Sequence, residues 1–122
     1  MAADDTIQVL EINSRPSATV QLYDDVFHDG WLAAHCDACR GFVIAPLPST
    51  GIRGFRTVFA KRETTVPSNF DWPAHCSDIP DEGSRIESGQ PICTVHASGE
   101  NIDATQQNLT TKENEMIALL CA

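Results

Sequence analysis

The sequence predicts an α+β fold, in which an N-terminal strand with short helices is followed by a small antiparallel β unit and a C-terminal helix. Two kinds of pattern favour this class. Short runs such as FRTVFA, at residues 55–60, alternate with the period of a strand. Near the C-terminus, the spacing of Leu109, Met116 and Leu120 is instead that of an amphipathic helix.

Composition and charge exclude several classes of function. The 122 residues suffice for one compact domain, and 42% hydrophobic with 20% charged residues is a globular composition. With 17 acidic and 8 basic residues the net charge is −9, so nucleic acid and anionic membrane surfaces are expected to be repelled. No apolar run reaches the roughly 20 residues of a membrane span, and the N-terminus lacks the pattern of a signal peptide. These features predict a cytoplasmic protein.

The alternating run at residues 7–13 carries polar oxygen atoms where a core strand would carry another valine. Glu11 and Asn13 are two residues apart, so on a strand their side chains project from one face, roughly 6.5 Å apart. A carboxylate and an amide carbonyl at that separation suit Mg²⁺, which prefers oxygen ligands and keeps waters and phosphates in its shell. Arg15 adds a planar cation suited to phosphate. From periodicity alone, the alternative is the solvated end of an edge strand.

Two short helices are predicted after this strand. The first covers residues 17–23 and starts near Ser17, a residue type that caps helix N-termini. The second covers residues 31–39 and stops at Gly41, because glycine readily adopts the left-handed conformation of a C-terminal cap. Prolines beyond this glycine prevent the helix from continuing.

The remaining β signal lies after residue 50. Strands are predicted at residues 55–60 and 91–97, which contain β-branched and aromatic residues. Residues 67–81 are predicted to form a long loop held down by Phe70 and Trp72. Turns containing glycine at positive φ are predicted on either side of Ile86.

The C-terminal helix is predicted from residue 101 onward, but its continuity is open at this stage. The sequence Thr110-Thr-Lys-Glu113 resembles a capping box. The alternative to one long helix is therefore a second, shorter helix that starts at residue 110.

The segment VLEINSRPSAT, at residues 9–19, resembles the last catalytic strand of the ATP-grasp superfamily. In that superfamily a Glu-x-Asn-x-Arg run supplies magnesium ligands and a phosphate-facing arginine, and Glu11, Asn13 and Arg15 match the run. The common form has proline after the asparagine, and Ser14 departs from it.

A second segment, DIPDEGSRIESGQPICTVHASG at residues 78–99, is similar to the small β unit of rudimentary hybrid-motif type that closes some ATP-grasp ligases. Its turn pattern is P-x-x-G-x-x-I-x-x-G-x-P-[VI]. The matching positions are Pro80, Gly83, Ile86, Gly89, Pro91 and Ile92. The resemblance implies that residues 1–46 are the last strand and helices of an ATP-grasp catalytic domain. Residues 47–122 are then a C-terminal β subdomain with a terminal helix.

The resemblance implies a carboxylate–amine ligase that forms an acyl phosphate with ATP and Mg²⁺, similar to ligases encoded beside one-carbon (methanopterin and methanofuran) metabolism genes. Glu11 and Asn13 would hold Mg²⁺, and Arg15 would be the catalytic residue that steadies the phosphoryl group. The lysines and glycine-rich loop that bind the nucleotide in that family precede this strand and have no match here. The chain is therefore expected to be a C-terminal fragment or subunit, inactive alone. Its expected partner is a polypeptide that supplies the N-terminal half, or a second copy.

Two other classes of function remain open from the residues. The Cys36-x-x-Cys39 pair and the His75-Cys76 pair have ligand types that could close a tetrahedral zinc site. The alternative is that these are small residues on helix and loop surfaces. A non-catalytic interaction domain is the third class, and it predicts an exposed apolar face. An odd number of cysteines in a reducing compartment predicts no disulfide. The cysteines are Cys36, Cys39, Cys76, Cys93 and Cys121.

Overall fold

The computed structural model describes residues 8–11 and 16–120. The chain forms two compact units, Met1–Pro46 (unit 1) and Leu47–Ala122 (unit 2). Its class is mixed α and β, with small antiparallel sheets and a C-terminal helix, as the sequence predicts. In the described part of the chain, no helix combines the length and the apolarity needed to cross a membrane.

The predicted N-terminal strand is wrong for the residues that can be checked. Residues 8–11 form neither helix nor strand, and the rest of the predicted strand, residues 7, 12 and 13, lies outside the described residues. The physical reason is that alternation alone does not make a strand, because a strand needs a partner to complete its backbone hydrogen bonds. No strand is found among the described residues of unit 1.

Two helices make up the regular structure of unit 1. A 3₁₀ helix, Ala18–Val26, begins after Ser17 as predicted, but it ends three residues later than expected. Helix α1, Gly30–Cys39, matches its predicted range to within one residue. It ends where Gly41 takes a φ of 89° and donates its backbone N–H to the carbonyl of Ala38, so the predicted glycine cap is confirmed.

Unit 2 is built on a three-stranded antiparallel sheet of order β1-β5-β3, where β1 is Ile52–Phe59, β3 is Cys76–Ser77 and β5 is Pro91–Gly99. A separate pair is formed by β2, Thr64–Thr65, and β4, Arg85–Ile86. The predicted strands at residues 55–60 and 91–97 are thus confirmed, and both are extended by backbone pairing.

The predicted loop at residues 67–81 contains the short strand β3, which sequence reasoning missed. Cys76 pairs with Val95 and Ser77 with Thr94, and the strand ends where Asp78 turns to a φ of 52°. Two residues are too few to show a period. The expected role of the rings is consistent with the structure, since Phe70 and Trp72 contact each other edge to face and pack against the core.

Helix α2, Ile102–Leu120, covers one face of the sheet as a single continuous helix, so no second helix starts at residue 110. The Thr110 hydroxyl instead donates to the carbonyl of Gln106 within the helix. Helix and sheet bury a core around Val58, Val95 and Met116, each with no exposed surface.

Candidate functional site

The predicted magnesium strand is only partly visible. Glu11 is exposed and lies outside any helix or strand, whereas Asn13 and Arg15 lie outside the described residues. The described residues contain no group of three or more His, Cys, Asp or Glu side chains placed to hold a metal ion. The predicted magnesium site needs only two protein ligands, because Mg²⁺ completes its shell with water and phosphate oxygens. The roles of Glu11, Asn13 and Arg15 therefore stay predictions.

The second motif, at residues 80–92, takes a definite conformation. Gly83 and Gly89 have φ values of 76° and 85°, the left-handed region that favours glycine. The amide of Gly83 donates to the Val66 carbonyl and that of Gly89 to the Ala60 carbonyl, so each turn is tied to a neighbouring segment. Between and after the turns, Ile86 and Ile92 point into the core. The two glycines and the two isoleucines of the motif therefore each have a structural role in unit 2.

An apolar groove of about 540 Å³ lies within unit 1, between the 3₁₀ helix and α1. It is lined by Thr19, Val20, Tyr23, Val26, Phe27, Trp31, Ala34, His35, Ala38, Ile44 and Pro46. The backbone N–H of Trp31 donates to the Asp24 carboxylate, which joins the two helices at one end. This groove was not predicted from the sequence, although the aromatic residues on the two helices were a usable signal. It offers apolar contact surface and one imidazole.

The Cys-x-x-Cys pair lies on helix α1 and not in the turns that zinc sites usually occupy. Both thiols are exposed, and Cys39 Sγ is 3.9 Å from His35 Nε2, one helical turn away. His75 and Cys76, the other half of the hypothetical zinc site, belong to unit 2. Among the described residues of unit 1, the pair and its neighbours do not form a group of three side chains placed to hold a metal ion.

A second group of sulfur atoms lies inside unit 2 and was not predicted. Cys76 Sγ is 3.6 Å from Met116 Sδ, and Cys76 and Cys93 each influence the pKa of the other thiol. Burial raises the pKa of the Cys93 thiol to about 12, with a further contribution from Cys76. Burial also raises the pKa of Cys76, while the cation of Lys112 opposes that shift.

Two histidines lie close to this part of the sheet. His96 Nε2 is 2.7 Å from the Ser77 hydroxyl, and its ring contacts that of Phe55 at a centroid distance of 6.3 Å. His75 has a buried Nε2 that lacks a hydrogen-bond partner in the described part of the chain. Burial lowers the pKa of His75, and the nearby Lys112 cation acts in the same direction. The imidazole of His75 is therefore neutral at pH 7.

The buried thiol predicts a loss of stability in alkali. The pKa of Cys93 is raised from an ordinary 9.0 to about 12 in the folded protein, so its contribution is complete below pH 9 and is lost as pH rises toward 12. Above pH 9 the free energy of unfolding should fall more steeply in the wild type than in Cys93→Ala, by up to about 1.4 kcal/mol per pH unit. Urea unfolding at pH 8, 10 and 11 measures this slope.

The matched control for this experiment is Cys36→Ala, which removes an exposed thiol. It should keep the wild-type dependence on pH, because the buried thiol of Cys93 is still present. Parallel slopes for Cys93→Ala and the wild type would contradict the assignment. The three proteins differ only at these two cysteines, so the comparison isolates the contribution of the Cys93 thiol.

Comparison with known proteins gives no identification. No protein family, no curated protein and no solved structure matches this chain. Assignment of a function therefore depends on the motifs and the geometry described above.

Proposed function

We propose that this chain is the C-terminal part of an ATP-grasp carboxylate–amine ligase. The complete enzyme would activate a carboxylate as an acyl phosphate at the expense of Mg²⁺-ATP, and an amine would then displace the phosphate. The partner under this proposal is the polypeptide that carries the nucleotide-binding half, or a second copy of the chain. The chain alone is not expected to turn over substrate.

The observation that carries the proposal is the fit between the second motif and the local structure. A turn pattern of the form P-x-x-G-x-x-I-x-x-G-x-P requires two glycines at positive φ and an apolar residue between them that is buried. Gly83 and Gly89 have that backbone conformation, and Ile86 is 5% exposed. Pro91 opens strand β5, where a residue without an N–H is tolerated. The agreement supports the resemblance on which the proposal is based.

The oxygen ligands of the first motif suit the metal that the proposal requires. Glu11 is exposed to solvent. A carboxylate and an amide carbonyl are hard ligands, which Mg²⁺ prefers over nitrogen or sulfur. The ion would neutralise charge on the phosphoryl group in transfer.

In the proposed reaction each residue of the first motif has a separate task. Glu11 and Asn13 would fix the position of the ion, and Arg15 would donate hydrogen bonds to the phosphoryl oxygens as charge develops on them. The proposal assigns no proton transfer to this chain. The carboxylate, the amine and the adenine pocket belong to the part that the partner supplies.

The proposal is tested by metal binding at Glu11, without any need for turnover. Mn²⁺ replaces Mg²⁺ at oxygen sites and broadens the NMR signals of nearby amides. Adding Mn²⁺-ATP to the chain should broaden the signals of residues 8–11 first. In Glu11→Gln, at least about ten times more Mn²⁺ should be needed, since even residues that only orient a ligand cost 10–100-fold in metal affinity when changed.

The matched control is Glu87→Gln, which removes a carboxylate from an exposed turn of unit 2. It lowers the negative charge of the chain by the same amount, so it reports any general loss of attraction for a cation. We expect it to leave the broadening of residues 8–11 unchanged. Equal effects of the two substitutions would refute a specific site at Glu11 and with it the ligase proposal.

A further inference from the structure

Three sulfur atoms from separate elements meet on the helix-covered side of the unit 2 sheet. Cys76 is on β3, Cys93 is on β5 and Met116 is on α2. Cys76 pairs with Val95, which places Cys93 two residues along β5 on the same face. The two cysteines are therefore diagonal neighbours on one face of the sheet, and Cys76 Sγ is 3.6 Å from Met116 Sδ.

We propose that Cys76, Cys93 and Met116 form a binding site for copper(I). Two thiolates and one thioether are soft ligands, and such ligands select copper(I) among the biological metals. Zinc is disfavoured, because its structural sites use four ligands drawn from Cys, His and carboxylates and do not use methionine. Hard ions such as Mg²⁺ and Ca²⁺ require oxygen. This inference is independent of the proposed ligase function.

The sulfur separation agrees with a shared ion. A metal–sulfur bond of about 2.3 Å places three trigonal sulfurs about 4.0 Å apart. The observed 3.6 Å between Cys76 Sγ and Met116 Sδ differs from this by a few tenths of an ångström. Methionine has three rotatable side-chain bonds and adapts readily to such a change. For this pair of ligands a shift of side chains is sufficient to accommodate the ion.

Access and charge also favour the site. Met116 and Cys93 are buried, but Cys76 is partly exposed on the two-residue edge strand β3, which provides a route for the ion. Two thiolates and one copper(I) carry a net charge of −1. The cation of Lys112 is close enough to stabilise the thiolate of Cys76, and so it offsets that charge.

Binding is a ligand exchange without a change of oxidation state. Copper(I) leaves a small-molecule chelator, two copper–thiolate bonds form, and the methionine sulfur donates a lone pair. Cysteine binds a metal as its thiolate, so the two thiol protons pass to the buffer. The apparent affinity should therefore rise as the pH is raised.

The test uses the full chain with its other cysteines removed, Cys36→Ser, Cys39→Ser and Cys121→Ser, because a Cys-x-x-Cys pair would itself take copper. Copper(I) is titrated anaerobically against a chromogenic copper(I) chelator. This background variant should bind one ion per chain. Further substitution of Cys93→Ser or Cys76→Ser should weaken binding by about 100-fold or more, beyond the 10–100-fold that indirect ligand contacts contribute.

The substitution Met116→Leu tests the role of Met116 as a metal ligand separately from its role in core packing. Leucine conserves most of the volume, so the core stays folded while the thioether is lost. We expect about tenfold weaker binding, and X-ray absorption should count two sulfur neighbours of copper in place of three. Ile117→Leu is the matched control on the same helix and should leave both readouts unchanged. Less than stoichiometric copper in the background variant, or binding unaffected by Cys76→Ser and Met116→Leu, would overturn the site.

Discussion

Replacing Met116 with alanine is expected to destabilise unit 2 by about 2–5 kcal/mol. Met116 has no exposed surface, and it belongs to the core cluster shared by the helix and the sheet. Its removal forfeits the burial of its side chain and leaves a cavity that the close-packed neighbours cannot fill completely. A loss of this size is a large fraction of the roughly 5–15 kcal/mol that stabilises a typical domain.

The measurement is urea unfolding of copper-free protein followed by the fluorescence of Trp72, which packs against the core of unit 2. The second tryptophan, Trp31, lies in unit 1, so all proteins carry Trp31→Phe to keep the signal specific. Leu119→Ala is the matched control, because Leu119 is 56% exposed on the same helix. That substitution should change the free energy of unfolding by less than about 0.5 kcal/mol. If both substitutions have similar effects, the helix does not pack on the sheet through Met116.

The parts of the fold that were predictable are those in which local pattern and tertiary contact agree. The strands at residues 55–60 and 91–97 pair with each other, so their alternation has a structural cause. Gly41 ends a helix because its backbone conformation is favourable for glycine in any context. Such signals are contained within a few residues, and the sequence is sufficient to recognise them.

The wrong strand prediction and the missed strand β3 have a different cause, because whether a strand forms depends on residues far away in the chain. The alternation of residues 7–13 resembles that of β1, but no strand in the described part of the chain pairs with residues 8–11. Strand β3 exists only because its backbone pairs with that of β5. Periodicity measures a preference for one face and contains no information on whether a partner is present.

The same distinction applies to the candidate sites. Glu11, Asn13 and Arg15 form a local motif, which the sequence displays directly. The sulfur cluster depends on the register of two strands and on the packing of a helix, and its members are up to 40 residues apart. A Cys-x-x-Cys pattern is recognised in a sequence by its spacing, whereas the spacing of Cys76, Cys93 and Met116 matches no known metal-binding motif. The strand register places Cys76 and Cys93 on one face of the sheet, and the packing of α2 places Met116 beside Cys76.

Substitution of Gly99 is the second change that we expect to destabilise unit 2 strongly. It lies at the end of β5, where an added Cβ would be 2.7 Å from the backbone nitrogen of Thr105 and 2.9 Å from its hydroxyl. Contacts this short do not occur, so the start of α2 would have to move. The Thr105 hydroxyl is within hydrogen-bonding distance of two carbonyl oxygens, that of Asn101 at 2.9 Å and that of Ile52 on β1 at 3.1 Å, and the link to β1 would be strained. We expect Gly99→Ala to destabilise unit 2 by about 1–3 kcal/mol, the usual cost of overpacking.

Gly54→Ala is the matched control for this prediction, since Gly54 also lies in the sheet against α2. Its added Cβ would approach Leu109 Cδ1 at 3.1 Å, and the end of a leucine side chain can move where a helix backbone cannot. The expected cost is therefore below about 1 kcal/mol. Urea unfolding compares the two variants, and amide hydrogen exchange at Thr105 should accelerate only in Gly99→Ala. If the two substitutions lower the free energy of unfolding by similar amounts, the start of α2 can shift away from β5 easily. The close approach at Gly99 would then not fix the position of the helix.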